Sequence, residues 1–210
     1  MCPDRSAARA MSSAPARRLG QIRGEDAVLF VCDVQDKFVN AISGFDAIVD
    51  VSSRLVRAAP HLGYPVIVTE QYPQRLGSTV PAIAEHLPEG STVVAKTRFS
   101  MLVPEVEAKL EELGRKSAII VGLETHVCVL QTGLDLLARG YDVHVVTDGV
   151  SSRTLQDRAA GVRRLVEAGA FPASSEMVLF QLLGDTSHPG FKPVSATFKE
   201  PRENLLPPLP

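Results

Sequence analysis

Short continuous apolar runs recur along the chain, each followed by a segment whose apolar positions repeat at helical spacing. Ala27 to Val31, Pro65 to Val68, Thr92 to Ala95, Ala118 to Val121 and Val143 to Val146 are too short for helices and do not alternate polar with apolar. That pattern predicts strands buried on both faces. Phe45 to Leu62, Val103 to Leu113, Val127 to Arg139 and Leu155 to Ala168 read as helices between them. Gly63, Gly114, Gly140 and Gly169 each fall just beyond one of these helices, the usual place for a left-handed cap. Strand–helix alternation of this kind means βαβ units with right-handed crossovers. The expected fold class is therefore α/β: a three-layer α/β/α domain around a doubly wound, mostly parallel sheet.

The ends of the chain differ from this body. No acidic side chain occurs between Arg5 and Arg23, a stretch of Ala, Ser and Arg, so residues 1–24 read as a disordered or weakly targeting leader. Residues 25–193 form the domain. Residues 194–210 are a Pro-rich tail ending in Leu-Leu-Pro-Pro-Leu-Pro, and from about Phe191 onward an extended segment is expected.

Composition narrows the function. Twenty-two basic residues against 24 acidic ones give a formal charge of −2, which argues against a nucleic-acid-binding face. Trp is absent and aromatics are few, so stacking platforms for bases are not expected. Three scattered cysteines make neither a disulfide framework nor a paired zinc site, and suit a reducing compartment. No apolar stretch has the length to cross a bilayer. These features predict an intracellular, cytoplasmic protein, with a mitochondrion or other organelle as the alternative that the leader leaves open.

In open α/β sheets the ligand crevice lies beyond the carboxyl ends of the strands, near the switch in strand order. The first strand runs out at Asp33, the third at Lys96, and the fourth leads into the segment carrying Cys128. Taken singly, Asp33 could cap a helix, Lys96 could be a solvated cation, and Cys128 could be a small packing hydrophobe. Together they make a chemical set. A carboxylate can take the thiol proton, an ammonium can hold both anions, and a helix N-terminus stabilises thiolate.

Asp-Val-Gln-Asp-Lys-Phe (33–38), Lys-Thr-Arg-Phe-Ser-Met (96–101) and Gly-Leu-Glu-Thr-His-Val-Cys-Val (122–129) resemble the motifs of the isochorismatase-like cysteine hydrolases. Thr-Glu-Gln-Tyr-Pro (69–73), Leu-Gly-Ser-Thr-Val-Pro (76–81), Asp-Gly-Val-Ser-Ser-Arg (148–153) and Leu-Leu-Gly-Asp (182–185) extend the similarity, over roughly residues 25 to 193, to the family's eukaryotic branch. The resemblance implies a catalytic triad of Asp33, Lys96 and Cys128. It also implies a cis peptide between Leu123 and Glu124 that turns the amides of Glu124 and Cys128 into an oxyanion hole. Nicotinamidases of the superfamily carry an Asp-x-His metal cluster where this chain has Glu70-Gln71-Tyr72-Pro73-Gln74, and His61 and His86 are isolated. No metal and no other cofactor is expected.

Gln35, Phe38, Tyr72, Phe99 and Thr125 are candidates to line the substrate pocket, with core packing or loop structure as the equal alternative. His126, two residues from Cys128, invites a Cys–His dyad, but neighbouring loop residues rarely aim at each other. Ser151, Ser152 and Arg153 either close one end of the site or begin the next helix. The expected function is metal-independent hydrolysis of an amide-like C–N bond in a small molecule through a Cys128 thioester. A vinyl ether hydrolase of the isochorismatase type and a non-catalytic binding or scaffold protein are the alternatives. Relatives of this kind imply association as a dimer or tetramer, with no nucleic acid or membrane partner.

Overall fold

The computed structural model describes residues 18–199 together with Leu206 and Pro207. Strands β1 (Ala27–Cys32), β2 (Val66–Gln71), β3 (Thr92–Lys96), β4 (Ser117–Leu123), β5 (Asp142–Ser151) and β6 (Phe171–Ala173) form one sheet. Their order is β3-β2-β1-β4-β5-β6, and every neighbouring pair is parallel. The helices are α1 (Phe45–Leu62), α2 (Pro73–Leu76), α3 (Pro81–Ala84), α4 (Pro104–Leu113), α5 (Leu130–Ala138), α6 (Leu155–Glu167), α7 (Ser175–Leu183) and α8 (Phe191–Thr197). A short 3-10 turn, Asp36–Phe38, follows β1, and a π-helical turn, Thr125–Val129, runs directly into α5.

Two cores flank the sheet. Leu29 and Val31 of β1 join Ile48, Val51 and Leu55 of α1, Val178 and Leu179 of α7 and Val194 of α8. Val28, Phe30 and Cys32 point the other way, into a core with Val106 and Leu110 of α4, Leu136 of α5 and Val162 and Leu165 of α6. Each fully buried aliphatic side chain of this kind contributes about 1.5–3 kcal/mol. Alternate residues of one strand thus feed two different cores, which is why the strands read as unbroken apolar runs. Connection direction reverses between β1 and β4, so their carboxyl ends flank the topological switch point.

The structure departs from the sequence expectation in several places. β3 is an edge strand with β2 as its one neighbour, so Val93 is half-exposed rather than covered on both faces. β6 and α7 were not anticipated. The Pro-rich stretch from Phe191 begins as a helix, not an extended segment, because Pro193 sits in the first turn of α8, where a missing N–H forfeits no intrahelical bond. Beyond it, Leu206 packs on the α1 side of the sheet, and the Pro207 carbonyl accepts from Arg158 Nη1 at 2.9 Å. Of the expected leader, residues 1–17 lie outside the described residues. Ile22 is buried in the α1-side core, and Arg18 Nε donates to the Asp142 carboxylate at 2.6 Å. Among the described residues no helix is long and apolar enough to cross a membrane.

His144 of β5 is buried, stacked 5.4 Å from the Phe171 ring, with Nε2 lacking a hydrogen-bond partner. Burial lowers its pKa from 6.5 to about 4. The folded state holds the ring neutral while the unfolded chain takes up a proton below pH 6.5. The stability this represents is therefore full above that pH and is lost as pH falls through 4. Urea unfolding of the wild type should give about 2–3 kcal/mol less stability at pH 4.5 than at pH 7 from this group alone. In His144→Phe the fall should shrink by that amount. An equal fall in both proteins would contradict the assignment.

Candidate active site

β1 ends where Asp33 adopts φ +53°, a left-handed conformation that Asp tolerates better than most side chains. The amide of Asp33 still bonds the Thr69 carbonyl of β2 at 3.1 Å, but the chain then leaves the sheet. This exit places the carboxylate at the carboxyl edge of the sheet, 1% exposed. Thr69 Oγ1 donates to Oδ1 at 2.7 Å and Lys96 Nζ donates to Oδ2 at 2.7 Å. Lys96, the last residue of β3, is itself buried. Its ammonium faces three further acceptors: Gln71 Oε1 at 2.7 Å and the carbonyls of Phe99 at 3.0 Å and Arg98 at 3.2 Å. Three protons are thus shared among four oxygens.

Cys128 arrives from the other side of the switch point. The Leu123–Glu124 peptide is cis. The Glu124 carbonyl accepts from Val127 N at 3.0 Å and from Val129 N at 3.2 Å. The second bond spans five residues and gives the π winding, a form often found at functional sites. Helical structure therefore begins at Thr125 and not at the expected Val127. Cys128 lies inside that turn, buried, its thiol in interaction range of the Asp33 carboxylate and the Cys32 thiol. Its carbonyl accepts from Thr132 Oγ1 at 2.7 Å, and that hydroxyl accepts from Met101 N at 2.9 Å. The cysteine turn is thus tied to the segment that follows Lys96.

Burial pushes the Asp33 carboxyl above its ordinary value, more strongly than Lys96, Thr69 and Cys128 pull it down. For Lys96, burial works against the ammonium, but its electrostatic interactions with Cys32, Asp33 and Cys128 and its hydrogen bond to Asp33 outweigh it and hold the pKa above the usual value. Cys32 is pushed well up by burial, then by Cys128 and Asp33, so it stays a thiol. The arrangement is a base strengthened by burial, beside a fixed cation and a sulfur.

The other expected residues separate into distinct roles. Gln35 is fully buried, and its amide is spent on the backbone of Gln71 and Gly77. Thr125 is also fully buried, with Oγ1 lacking a partner. Phe38 packs against the α1-side core, whereas Tyr72 and Phe99 are about half-exposed. His126 turns away from any dyad: its Nδ1 lies 2.9 Å from Ser152 Oγ. The 151–153 segment runs from the end of β5 to the start of α6 and lies against the cysteine turn. Arg153 N–H and Nε reach the Glu124 carboxylate at 3.3 and 3.4 Å, and Ser43 Oγ donates to the Arg153 carbonyl at 2.8 Å. Beside the Lys96 loop a cavity of about 440 Å³ is lined by Thr97, Phe99, Ser100 and Gln131 among others, not by Asp33, Lys96 or Cys128 themselves.

Sequence reasoning missed Thr69, Gln71 and Cys32. Thr69 had a signal, a hydroxyl residue at the end of an apolar run, beside the strand that carries Asp33. Glu70 accepts from the amide and hydroxyl of Thr79 at 2.7 and 2.8 Å.

The Isochorismatase domain family matches residues 27–177. Isochorismatase domain-containing protein 2 of Xenopus laevis is 47% identical over 187 residues, covering 88% of this chain and 89% of its own. Among solved structures, the MAR1 ribonuclease of Caenorhabditis elegans superposes with a TM-score of 0.84 at 44% identity, over 89% of this chain and 97% of that one. YcaC from Pseudomonas aeruginosa, solved with hexane-2,5-diol and covalent acrylamide, gives 0.79 at 25% identity, over 87% and 93%.

The cysteine turn rests on α6 at Gly161. A Cβ there would lie 2.7 Å from the Thr125 carbonyl oxygen and 2.9 Å from His126 N. Both neighbours are backbone, so the turn itself would have to move. Gly161→Ala should cost about 1–3 kcal/mol in denaturant unfolding and slow alkylation of Cys128. Wild-type stability together with wild-type thiol reactivity would contradict this packing.

Proposed function

The chain belongs to the isochorismatase family, and on that premise we propose that it is a metal-independent cysteine hydrolase acting on an amide-like C–N bond of a small molecule. The observation that carries this reading is the buried Asp33–Lys96 ion pair within reach of the Cys128 thiol at the switch point of the sheet. Asp33 takes the thiol proton. The thiolate attacks the carbonyl carbon, and the oxyanion that forms is held by the amides of Glu124 and Cys128. As the C–N bond breaks, Asp33 returns the proton to the leaving amine. Water, deprotonated by Asp33, then attacks the thioester, releasing the acid and restoring the thiol. Lys96 has four acceptors for three protons, so it acts as a fixed charge and transfers no proton. The covalent acrylamide of YcaC supports a strong nucleophile on this scaffold.

A screen of small amides, ureas and carbamoyl compounds tests the reading, with isochorismate and a single-stranded RNA as comparators. Turnover of one C–N substrate, abolished in a folded Cys128→Ala, is the expected result. Turnover that survives Cys128→Ala removes the nucleophile. Pyruvate release from isochorismate, or Cys128-dependent cleavage of RNA, replaces the substrate class, and silence throughout favours a scaffold.

The acid side of the rate profile follows Asp33. A protonated carboxyl cannot accept the thiol proton, so kcat/KM should fall as pH drops through a carboxyl pKa held above the ordinary value. Thr69 stabilises the charged form through its 2.7 Å bond. Thr69→Val should therefore move the acid limb to higher pH. A limb that stays in place would contradict Asp33 as the base.

A further inference from the structure

Gln35 uses its side-chain amide as a stand-in for a peptide. Along β2, Thr69 directs its carbonyl toward β1, while the next residue but two, Tyr72, bonds the Lys96 carbonyl on the β3 side at 2.8 Å. β1 departs at Asp33, so Gln71 has no strand on the β1 side to bond. The Gln35 side chain fills both of its backbone groups. Oε1 accepts from Gln71 N at 2.7 Å, and Nε2 donates to the Gln71 carbonyl at 3.0 Å and to the Gly77 carbonyl at 2.6 Å. Every amide proton of Gln35 is used.

Gln71 carries this constraint onward. Its own Oε1 accepts from Lys96 Nζ at 2.7 Å, and its Nε2 donates to the Thr97 carbonyl at 2.8 Å. The ammonium is thereby pinned between Asp33 and a side chain whose backbone Gln35 holds on both polar groups. We propose that Gln35 is a positioning residue: by clamping the Gln71 peptide it fixes the Lys96 ammonium, and through it the electrostatic field at Asp33 and Cys128. The proposal rests on the reading of this cluster as the reactive centre, and it assigns Gln35 no contact with substrate.

The test reads the thiol directly. The rate of Cys128 carbamidomethylation by iodoacetamide is followed by peptide mass spectrometry across pH for wild type, Gln35→Met, Gln71→Met and the double variant. Each single variant should label about tenfold more slowly at neutral pH, with its profile displaced to higher pH, because a loosened ammonium stabilises the thiolate less. The double variant should match the singles, since both act through one ammonium. A wild-type profile in Gln35→Met overturns the proposal whatever happens to its stability. So does a double variant whose loss is the product of the two singles. Should Gln35→Met not fold, Gln35→Glu keeps the length and the acceptor but not the donors, and carries the same expectation. Labelling needs no substrate, so this result is separate from turnover that survives Cys128→Ala, which would sink the hydrolase reading alone.

Discussion

One buried ammonium organises this end of the molecule. Taking an ammonium out of water costs several kcal/mol even after relaxation, and only close anionic and dipolar partners return it. Lys96 collects four of them: Asp33 from β1, Gln71 from β2, and two carbonyls from the loop that curls over it. The left-handed exit of β1 and the path of residues 97–100 are both consistent with bringing those oxygens to it. Removing one member of such a pair leaves the other as an uncompensated buried charge, typically at about 3–5 kcal/mol. The pair is a poor source of stability compared with the apolar cores beside it. Its value lies in the field it sets up.

That field is useful because of where the sheet puts it. The order β3-β2-β1-β4-β5-β6 places β1 and β4 side by side with their connections running in opposite directions. The carboxylate from one and the cysteine turn from the other therefore meet, both buried, at the carboxyl edge of the sheet. Thr132 then joins the cysteine turn to the segment after Lys96, through a bond to the Cys128 carbonyl and one from Met101 N. Burial raises the Asp33 carboxyl and makes it a stronger base, while the same burial makes it dependent on Lys96 for its charge. In the proposed mechanism, activation of the thiol and retention of the ion pair both follow from one low-dielectric site.

Much of this was legible in the chain because burial on both faces leaves a simple trace. Leu29 and Val28 enter different cores, so β1 reads as an unbroken apolar run, and its end marks Asp33. β4, buried along its whole length, points to Cys128 in the same way, whereas β3 lies at the sheet edge and its short apolar run alone ends at Lys96. β6 escaped because it is three residues long and contains Pro172, and α7 because its run of Met, Val, Leu and Phe shows little helical polarity. Gln35 is a pocket candidate in the sequence, with core packing or loop structure as the equal alternative, since only its position beside Asp33 is visible there. Its hydrogen bonds to a strand 36 residues away are not. The π winding around Cys128 and the cis peptide before it depend on backbone geometry that composition and periodicity do not encode. The resemblance to known motifs supplied the cis peptide in advance, and the winding came only with the structure.

In the proposed mechanism the Asp33–Lys96 pair makes Cys128 the group that attacks substrate. Intact-protein and peptide mass spectrometry of enzyme quenched in acid during turnover of an amide substrate addresses it most directly. The expected result is an acyl mass on the peptide containing Cys128, present in the steady state and gone once substrate is exhausted. An adduct on another residue, or continued turnover with Cys128 unmodified at every time sampled, including the pre-steady-state burst, would contradict it.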